Sequence, residues 1–138
     1  MIKKWIEIKM KQLLNENKPC PFCNLEREKI LITKMSFAIY DGFPVNEGHA
    51  LIIPKRHTAN YFDLTNEEQA DCFELLNRVK LIVQKKYNPA GFNVGININE
   101  AAGQTVPHVH IHLIPSYEGD VEEPSGGVRG VMPANKNY

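Results

Sequence analysis

The 138-residue chain has little cysteine, a single tryptophan and no excess of charge of either sign. Its three cysteines are an odd number, which argues against a disulfide framework and favours reduced thiols. Lysine plus arginine number 16, as do aspartate plus glutamate, so the chain lacks the charge excess of a nonspecific nucleic-acid or membrane binder. We therefore expect no nucleic-acid partner, and a phosphate ligand would have to be held by local groups.

Long apolar runs are also missing. No run approaches the roughly 20 residues that a membrane-spanning helix requires. The first twelve residues, MIKKWIEIKMKQ, contain lysines but neither the apolar core nor the cleavage site of a signal peptide. We therefore expect no membrane partner and a cytoplasmic location. The length and the hydrophobic content of 43% predict one domain over residues 1–138.

Apolar runs separated by turn residues predict five short strands and one long helix. The strands are expected over residues 30–33, 37–40, 49–54, 92–98 and 107–115. Strands, then a helix, then strands again, with links of hairpin length, indicate the α+β class with an antiparallel sheet. A further amphipathic helix is expected over residues 1–17, and residues 116–138 are expected to form an irregular tail.

The long helix has a recognisable start and end. The stretch Thr65-Asn66-Glu67-Glu68 matches a capping box, with Thr65 as the N-cap and Glu68 at the third helical position. The helix should end near Tyr87, because Pro89 cannot extend it. The residues expected on its buried face are Ala70, Phe73, Leu76, Val79 or the stem of Lys80, and Val83.

Three of the five histidines stand at alternate positions near the end of the chain, in PHVHIHLIP. In an extended strand the side chains of His108, His110 and His112 would share one face, and the apolar residues between them the other. Residues two apart lie roughly 6.5 to 7 Å apart, so neighbouring imidazoles could serve one metal or one phosphate. The alternative is a row of histidines on a solvated face, which the scarcity of histidine disfavours.

Two of the cysteines form a Cys-x-x-Cys pair in a turn-rich segment. Cys20 and Cys23 have the spacing with which two thiolates bind one zinc ion, and a closed site would need two further ligands, for which the histidines are candidates. The same spacing occurs in redox motifs of thioredoxin-like units, but the helix that such a unit requires does not follow, which favours zinc. Cys72 lies within the predicted helix and is interpreted as a packed core thiol.

The remaining histidines and one loop add to this cluster. Taken alone, His49 and His57 would each be interpreted as structural, but with the cysteines and the histidine row they favour a functional site. The loop that precedes the row carries Gly103, Gln104 and Thr105, whose donors suit an oxyanion such as phosphate. The same three residues also form ordinary turns.

These segments resemble the histidine triad family. HVHIHLI, residues 108–114, matches the His-x-His-x-His-x-x pattern that names the family, and residues 36–57 and 91–115 resemble its sheet. The resemblance covers roughly residues 18–120. It implies a HIT-like nucleotide hydrolase or transferase, usually a homodimer in which two five-stranded antiparallel sheets join into one.

The resemblance implies a role for each catalytic position. His110 corresponds to the nucleophile that attacks the α-phosphorus and forms a covalent nucleotidyl-histidine, which water resolves. The main-chain carbonyl of His108 resembles the acceptor that fixes the tautomer of that nucleophile. His112 would bind the phosphate or the bridging oxygen, and His49 would complete the phosphate surroundings. Gln104 resembles a glutamine of the dinucleoside polyphosphate hydrolase branch and would orient the leaving group or the attacking water.

Nucleotide and metal ligands follow from the same resemblance. Asn97 looks like an asparagine that contacts phosphate, Asp41 like the residue that holds the ribose hydroxyls, and Thr105 like a further nucleotide-binding donor. Some members hold a structural zinc ion with a set that corresponds here to Cys20, Cys23, His57 and His108. A metal at His108 would stiffen the backbone that orients His110.

Three functions remain open. The first is hydrolysis of dinucleoside polyphosphates such as diadenosine tetraphosphate, which Gln104 favours over the second, a purine nucleoside phosphoramidase. The third is a zinc-containing nucleotide-binding module without turnover; the balanced charge argues against a zinc module that recognises nucleic acid. Arg129, in the tail, could reach a phosphate but is interpreted as an exposed arginine.

Overall fold

Five antiparallel strands form one sheet in the order β1-β2-β3-β5-β4. The computed structural model describes residues 19–137, so the helix predicted over residues 1–17 lies outside the described residues. The strands are β1 (Leu31–Ile32), β2 (Ser36–Tyr40), β3 (Ala50–Pro54), β4 (Gly91–Ile96) and β5 (Ile111–Ser116). The predicted five-stranded antiparallel sheet with one long helix is therefore confirmed.

The long helix α1 spans Asn66–Tyr87 and starts and ends as predicted. The side chain of Thr65 accepts a hydrogen bond from the main-chain N–H of Glu68, and the Glu68 side chain accepts one in return from Thr65. The helix ends at Asn88, whose φ of 51° takes the chain out of the helical conformation immediately before Pro89. Its predicted buried face is only partly right. Ala70 and Phe73 are exposed, and the buried residues are Glu68, Cys72, Leu75, Leu76, Val79 and Val83.

The two faces of the sheet have different coverings. One face packs against α1 through a buried apolar cluster, which contains Ala38, Ala50, Ile52, Ile111 and Leu113. The opposite face carries Phe37, Ile39, Leu51 and Ile53, against which Phe22 and Leu25 pack. Because side chains alternate along a strand, His112 lies on this second face. The helix thus supports the sheet from one side and leaves the other side for the histidines.

The histidine segment differs from its prediction. Strand β5 begins at Ile111, so His108 and His110 precede the strand instead of lying within it. The main-chain N–H of His108 donates to Val106, and that of Val109 donates to Thr58, so this part of the backbone pairs with loops instead of a sheet neighbour. Likewise, β3 begins at Ala50 and not at the predicted His49.

The tail was predicted to be irregular but contains two short 3-10 helices, Gly127–Val131 and Pro133–Asn135. Arg129 donates hydrogen bonds to the main-chain oxygens of Asn135 and Lys136, so its guanidinium holds the two helices together. Contacts join the first of these helices to β4. Within residues 19–137 no helix has the length and apolar character needed to span a membrane.

Candidate active site and metal centre

Two cysteines and two histidines converge at one end of the sheet. The Nδ1 atom of His108 lies 3.4 Å from Sγ of Cys20, 3.6 Å from Sγ of Cys23 and 3.2 Å from Nδ1 of His57, while Cys23 Sγ lies 3.2 Å from His57 Nδ1. The four donor atoms all lie within 4.8 Å of one another. A tetrahedral zinc ion with bonds of about 2.0 to 2.3 Å requires donor separations of roughly 3.3 to 3.8 Å. The donor set therefore fits zinc in both chemistry and spacing.

A hydrogen bond at Nε2 fixes the tautomer of the buried His108 so that Nδ1 is available to a metal. Nε2 lies 2.7 Å from the main-chain oxygen of Pro54, and because an oxygen there can only accept, Nε2 carries the proton. Nδ1 then presents its lone pair to the thiols and to His57. Burial lowers the pKa of His108, which favours the neutral ring that a metal requires. This is the pattern of a metal-ligating histidine oriented by a carbonyl.

The predicted nucleophile is held by the same residue. Nδ1 of His110 lies 2.8 Å from the main-chain oxygen of His108 and must donate to it, so in the neutral ring Nε2 is the unprotonated nitrogen. The ring packs edge-on against Phe22, with centroids 5.3 Å apart. His110 is buried yet lines a cavity of about 240 Å³. The unprotonated nitrogen thus belongs to a ring at the wall of a cavity.

That first cavity has an apolar interior with charged groups at its edge. The apolar side chains come from the Cys-x-x-Cys turn, the sheet and the loop before the histidine row, and they are Phe22, Leu25, Ile39, Phe43, Leu51 and Val106. Asp41 and Arg27 also line the cavity. Apolar walls with a few placed polar groups are typical of a small-molecule site. The composition suits a nucleoside, with Asp41 available to a ribose.

Beside the nucleophile, His112, His49 and Asp41 form a second group. His49 Nδ1 accepts a hydrogen bond from the main-chain N–H of Val45 at 3.1 Å, so its proton lies on Nε2. That Nε2 lies 2.9 Å from Nδ1 of His112 and 3.5 Å from a carboxylate oxygen of Asp41. Because His49 donates to Nδ1 of His112, the proton of His112 lies on Nε2. Nε2 of His112 can therefore donate a hydrogen bond to a bound group. The ring of His110 lies beside it, with the two ring centroids 5.1 Å apart.

Gln104 has contacts that differ from the role predicted for it. Its Nε2 donates to the main-chain oxygens of Ala59 and Val106 at 2.7 and 3.0 Å, and its Oε1 accepts from the N–H of Asn99 at 2.8 Å. The side chain is buried, and among the residues described it lines neither the cavity at His110 nor the one at His112. These contacts connect the loop before the histidine row to the segment after His57, and the catalytic role of Gln104 stays a prediction.

The other nucleotide-binding candidates are placed separately. Asn97 follows β4 and lines a further cavity that also contains His49 and His112, whereas Thr105 lines neither of the two cavities.

The predictions also missed Phe22, which contacts both His108 and His110 at centroid distances of 5.8 and 5.3 Å. Its position between the two cysteines is a signal that could have identified it, because the metal ligands on both sides determine where its ring lies.

An ion pair between the buried Glu68 and the exposed Arg56 supports the segment that carries His57. Glu68, in the first turn of α1, accepts hydrogen bonds from Nε and Nη2 of Arg56, and Nη2 also donates to the main-chain oxygen of Asp63. The hydrogen bonds from Arg56, and then those from Thr65, lower the pKa of Glu68 to about 2. Because Arg56 immediately precedes His57, the start of the helix and the metal centre are connected through adjacent residues.

Comparison with known proteins agrees with this geometry. The model of the HIT domain family matches residues 24–119, which is more than half of the chain. The chain belongs to the HIT domain family. A HIT-like protein of Mycoplasma pneumoniae, described as uncharacterized, is 37% identical over 107 residues, covering 74% of each chain.

Relatives in this family include named enzymes. The asymmetrical bis(5'-nucleosyl)-tetraphosphatase of Schizosaccharomyces pombe is 40% identical over 91 residues, which cover 66% of this chain and 50% of that protein. The HIT chain described here thus spans about half the length of that relative. The adenosine 5'-monophosphoramidase of the same yeast is 38% identical over 101 residues, 70% of this chain and 73% of that one. The prediction that the chain is a HIT-family enzyme is confirmed.

Solved structures share the fold. A HIT family protein from Bacillus subtilis superimposes with a TM-score of 0.69 at 31% identity, covering 74% of this chain and 76% of that one. A zinc-bound histidine triad family protein from Mycobacterium smegmatis gives a TM-score of 0.63 at 27% identity, over 87% and 78% of the two chains. The second structure contains the metal for which the donor set here is suited.

Proposed function

We propose that this HIT-family enzyme cleaves nucleotides at the α-phosphorus through a covalent nucleotidyl-histidine on His110. The observation that carries the proposal is the hydrogen bond from Nδ1 of His110 to the main-chain oxygen of His108, which leaves Nε2 as the nucleophile. The first cavity in front of this ring supplies an apolar seat for a nucleoside. Relatives named as nucleotide hydrolases support the reaction class.

The proposed reaction follows from the protonation of two histidines: Nε2 of His110 carries no proton, and Nε2 of His112 carries one. Nε2 of His110 forms a bond to the α-phosphorus while the bond from phosphorus to the bridging atom breaks and its electron pair leaves with the departing group. Nε2–H of His112 donates a hydrogen bond to the bridging atom, and His49 holds His112 in that tautomer. Water then attacks the phosphorus and loses a proton to the solvent, and the phosphorus–nitrogen bond breaks with its electron pair returning to Nε2, which releases the nucleoside monophosphate and restores His110.

We propose dinucleoside polyphosphates such as diadenosine tetraphosphate as substrates. The tetraphosphatase of S. pombe supports this class, and the adenosine 5'-monophosphoramidase of the same yeast supports the alternative of a purine nucleoside phosphoramidase. The similarity to the two relatives is comparable, and only the resemblance of Gln104 to a glutamine of the dinucleoside polyphosphate hydrolase branch favours the first. Direct comparison of the two substrates is therefore required.

Zinc at Cys20, Cys23, His57 and His108 is proposed as a structural component. The separations of the four donors and the proton on Nε2 of His108 support it. When bound, the metal would supply rigidity to the turn that carries Phe22 and to the backbone that orients His110. This arrangement would make the chain one of the zinc-containing, bacterial-type members of the family.

A homodimer is proposed through the β4 edge of the sheet. Strand β4 ends the strand order and is six residues long, whereas β1, at the opposite end, has two residues. A long edge strand presents unpaired main-chain groups to a second copy. Light scattering after gel filtration would show the mass of two chains, and Val94→Lys, which changes an exposed residue of this edge, would shift the mass toward one chain.

Single-turnover experiments test the catalytic proposal. With diadenosine tetraphosphate and adenosine 5'-phosphoramidate, the unmodified chain should form an acid-labile nucleotidyl adduct and release AMP. His110→Ala should lose the adduct and at least about a thousandfold of the rate, while still binding AMP. Leu81→Ala, an exposed position on α1, serves as the control. An unchanged rate in His110→Ala would assign the reaction to another nucleophile, and AMP binding without turnover in the unmodified chain would favour the binding-module alternative.

A further inference from the structure

A second cavity of about 450 Å³ adjoins the first, because the two share lining residues. His112 and His49 line it, as do Asn93 and Asn97 from the β4 region, whereas His110 lines the first cavity. Asp41 and Phe43 line both cavities. The histidine cluster therefore borders two cavities that share Asp41 and Phe43 as lining residues.

The outer wall of the second cavity comes from the C-terminal tail. The tail segment, residues 127–131, contributes Gly127, Val128, Gly130 and Val131 to its lining. Among residues 19–137, eleven large apolar residues are exposed, and five of these residues line this one cavity: Phe43, Val45, Val94, Val128 and Val131. A concentration of exposed apolar groups around a few polar ones is the composition of a ligand site.

The position of the tail segment is specified by two glycines. Gly126 has a φ of +89°, and a Cβ atom there would lie 2.6 Å from the main-chain oxygen of Lys136. Gly127 has a φ of +43°, and a Cβ atom would lie 3.2 Å from Nδ2 of Asn93 in β4. Both positions favour glycine because side chains rarely adopt positive φ. The two glycines therefore allow the segment to turn back and approach β4 closely.

A glycine in the sheet leaves open space beside His112. Gly95 of β4 is the direct cross-strand partner of His112, so both project to the same face. A Cβ atom on Gly95 would have no neighbour within 4 Å, which means that the missing side chain leaves open volume at His112. The second cavity thus begins at the residue that donates to the bridging atom of the substrate.

We propose that the second cavity binds the nucleoside of the leaving group, and that the tail segment thereby selects substrates that carry a nucleoside at both ends. This inference rests on the proposed function. In an in-line displacement the leaving group departs on the side opposite the nucleophile. With one nucleoside in the cavity at His110, the bridging oxygen meets His112 and the leaving nucleotide extends into the recess beyond it. A volume of about 450 Å³ lies within the range of small-molecule sites.

The test compares a substrate with two nucleosides and a substrate with one. We expect the double variant Val128→Ser/Val131→Ser to lower the ratio of kcat/KM for diadenosine tetraphosphate to that for adenosine 5'-phosphoramidate by about tenfold, because an apolar wall is lost only for the first. Gly126→Val, which displaces the tail segment, should lower the ratio in the same direction. Val121→Ser, at an exposed tail position outside the cavity, should leave it unchanged.

A binding measurement separates this inference from the catalytic proposal. In the His110→Ala background, the double variant should weaken binding of diadenosine tetraphosphate by about tenfold relative to AMP, irrespective of turnover. An unchanged ratio in both kinetics and binding overturns the inference, even if His110 is the nucleophile. A change in oligomeric state with an unchanged ratio also overturns it and assigns the tail segment to contact with a second copy. Loss of turnover in His110→Ala bears only on the proposed function.

Discussion

The main-chain oxygen of His108 lies 2.8 Å from Nδ1 of His110, while the side chain of His108 points its own Nδ1 at two thiols and His57. One residue thus offers its imidazole to the proposed metal centre and its carbonyl to the proposed nucleophile, His110. A disturbance of the metal ligands would reach the catalytic ring through a single backbone unit. The three alternating histidines thus have different partners: His108 faces the thiols and His57, His110 bonds to the carbonyl of His108, and His112 bonds to His49.

The hydrogen bond between His49 and His112 gives a first prediction. His49→Phe should lower kcat about tenfold to a hundredfold with little change in KM, because His112 loses the donor that fixes its tautomer. His112→Asn should cause a similar or larger loss. If the two act as one unit, the double variant is no slower than His112→Asn alone, which steady-state kinetics would show. Additive losses would contradict this coupling.

Metal binding gives a second prediction. Elemental analysis of unchelated protein should find about one zinc ion per chain, and Cys20→Ser should reduce this value and lower the melting temperature. Cys72→Ala is the matched control, since Cys72 lies on the buried face of α1 and is not one of the proposed ligands. It should retain the metal despite some loss of packing. Protein that is free of metal when freshly purified would refute the zinc proposal and leave the role of His110 untouched.

The contacts of Gln104 give a third prediction. Gln104→Glu places an oxygen against the carbonyl oxygens of Ala59 and Val106, so the free energy of unfolding at neutral pH should fall by about 1 to 3 kcal/mol. Gln84→Glu is the control, because that amide is half-buried and donates one bond, 3.2 Å long, to Pro89. A Gln104 variant with unchanged stability and reduced kcat would restore the catalytic role predicted from the sequence.

The ion pair of Glu68 with Arg56 gives a pH prediction. The Arg56 hydrogen bonds lower the pKa of Glu68 from 4.5 to about 2 in the folded state. The stabilisation is therefore fully present above pH 4.5 and is lost as the pH falls from 4.5 toward 2. Glu68→Gln should lower the free energy of unfolding by about 1 to 2 kcal/mol at pH 7, and this difference should vanish in acid.

Urea unfolding at a series of pH values measures this effect. Glu67→Gln is the control, because Glu67 lies in the same helical turn but forms an exposed pair with Lys34 at 3.7 Å. Its effect should be close to zero at every pH. A Glu68→Gln difference that persists at pH 2 would show that the pair acts through packing and not through its charge.

Local sequence patterns were sufficient for most of the fold. The capping box at Thr65 and the proline at position 89 determine where α1 starts and ends, because both act on groups within a few residues. The exposure of Phe73 could not be predicted in the same way. Helical periodicity places several apolar residues near one stripe, and the angle at which the helix meets the sheet decides which of them are covered.

The spacing of the histidines and cysteines by itself determined which residue types would form the site, since alternation along an extended chain brings imidazoles together. Only the tertiary structure decided their protonation and partners. The proton on Nε2 of His112 depends on His49, 63 residues away, one hydrogen bond of the Gln104 side chain depends on Ala59, 45 residues away, and the second cavity depends on a tail that returns to β4. Hydrogen bonds and cavities require atoms that are distant in sequence to meet in space, and no local pattern specifies that meeting.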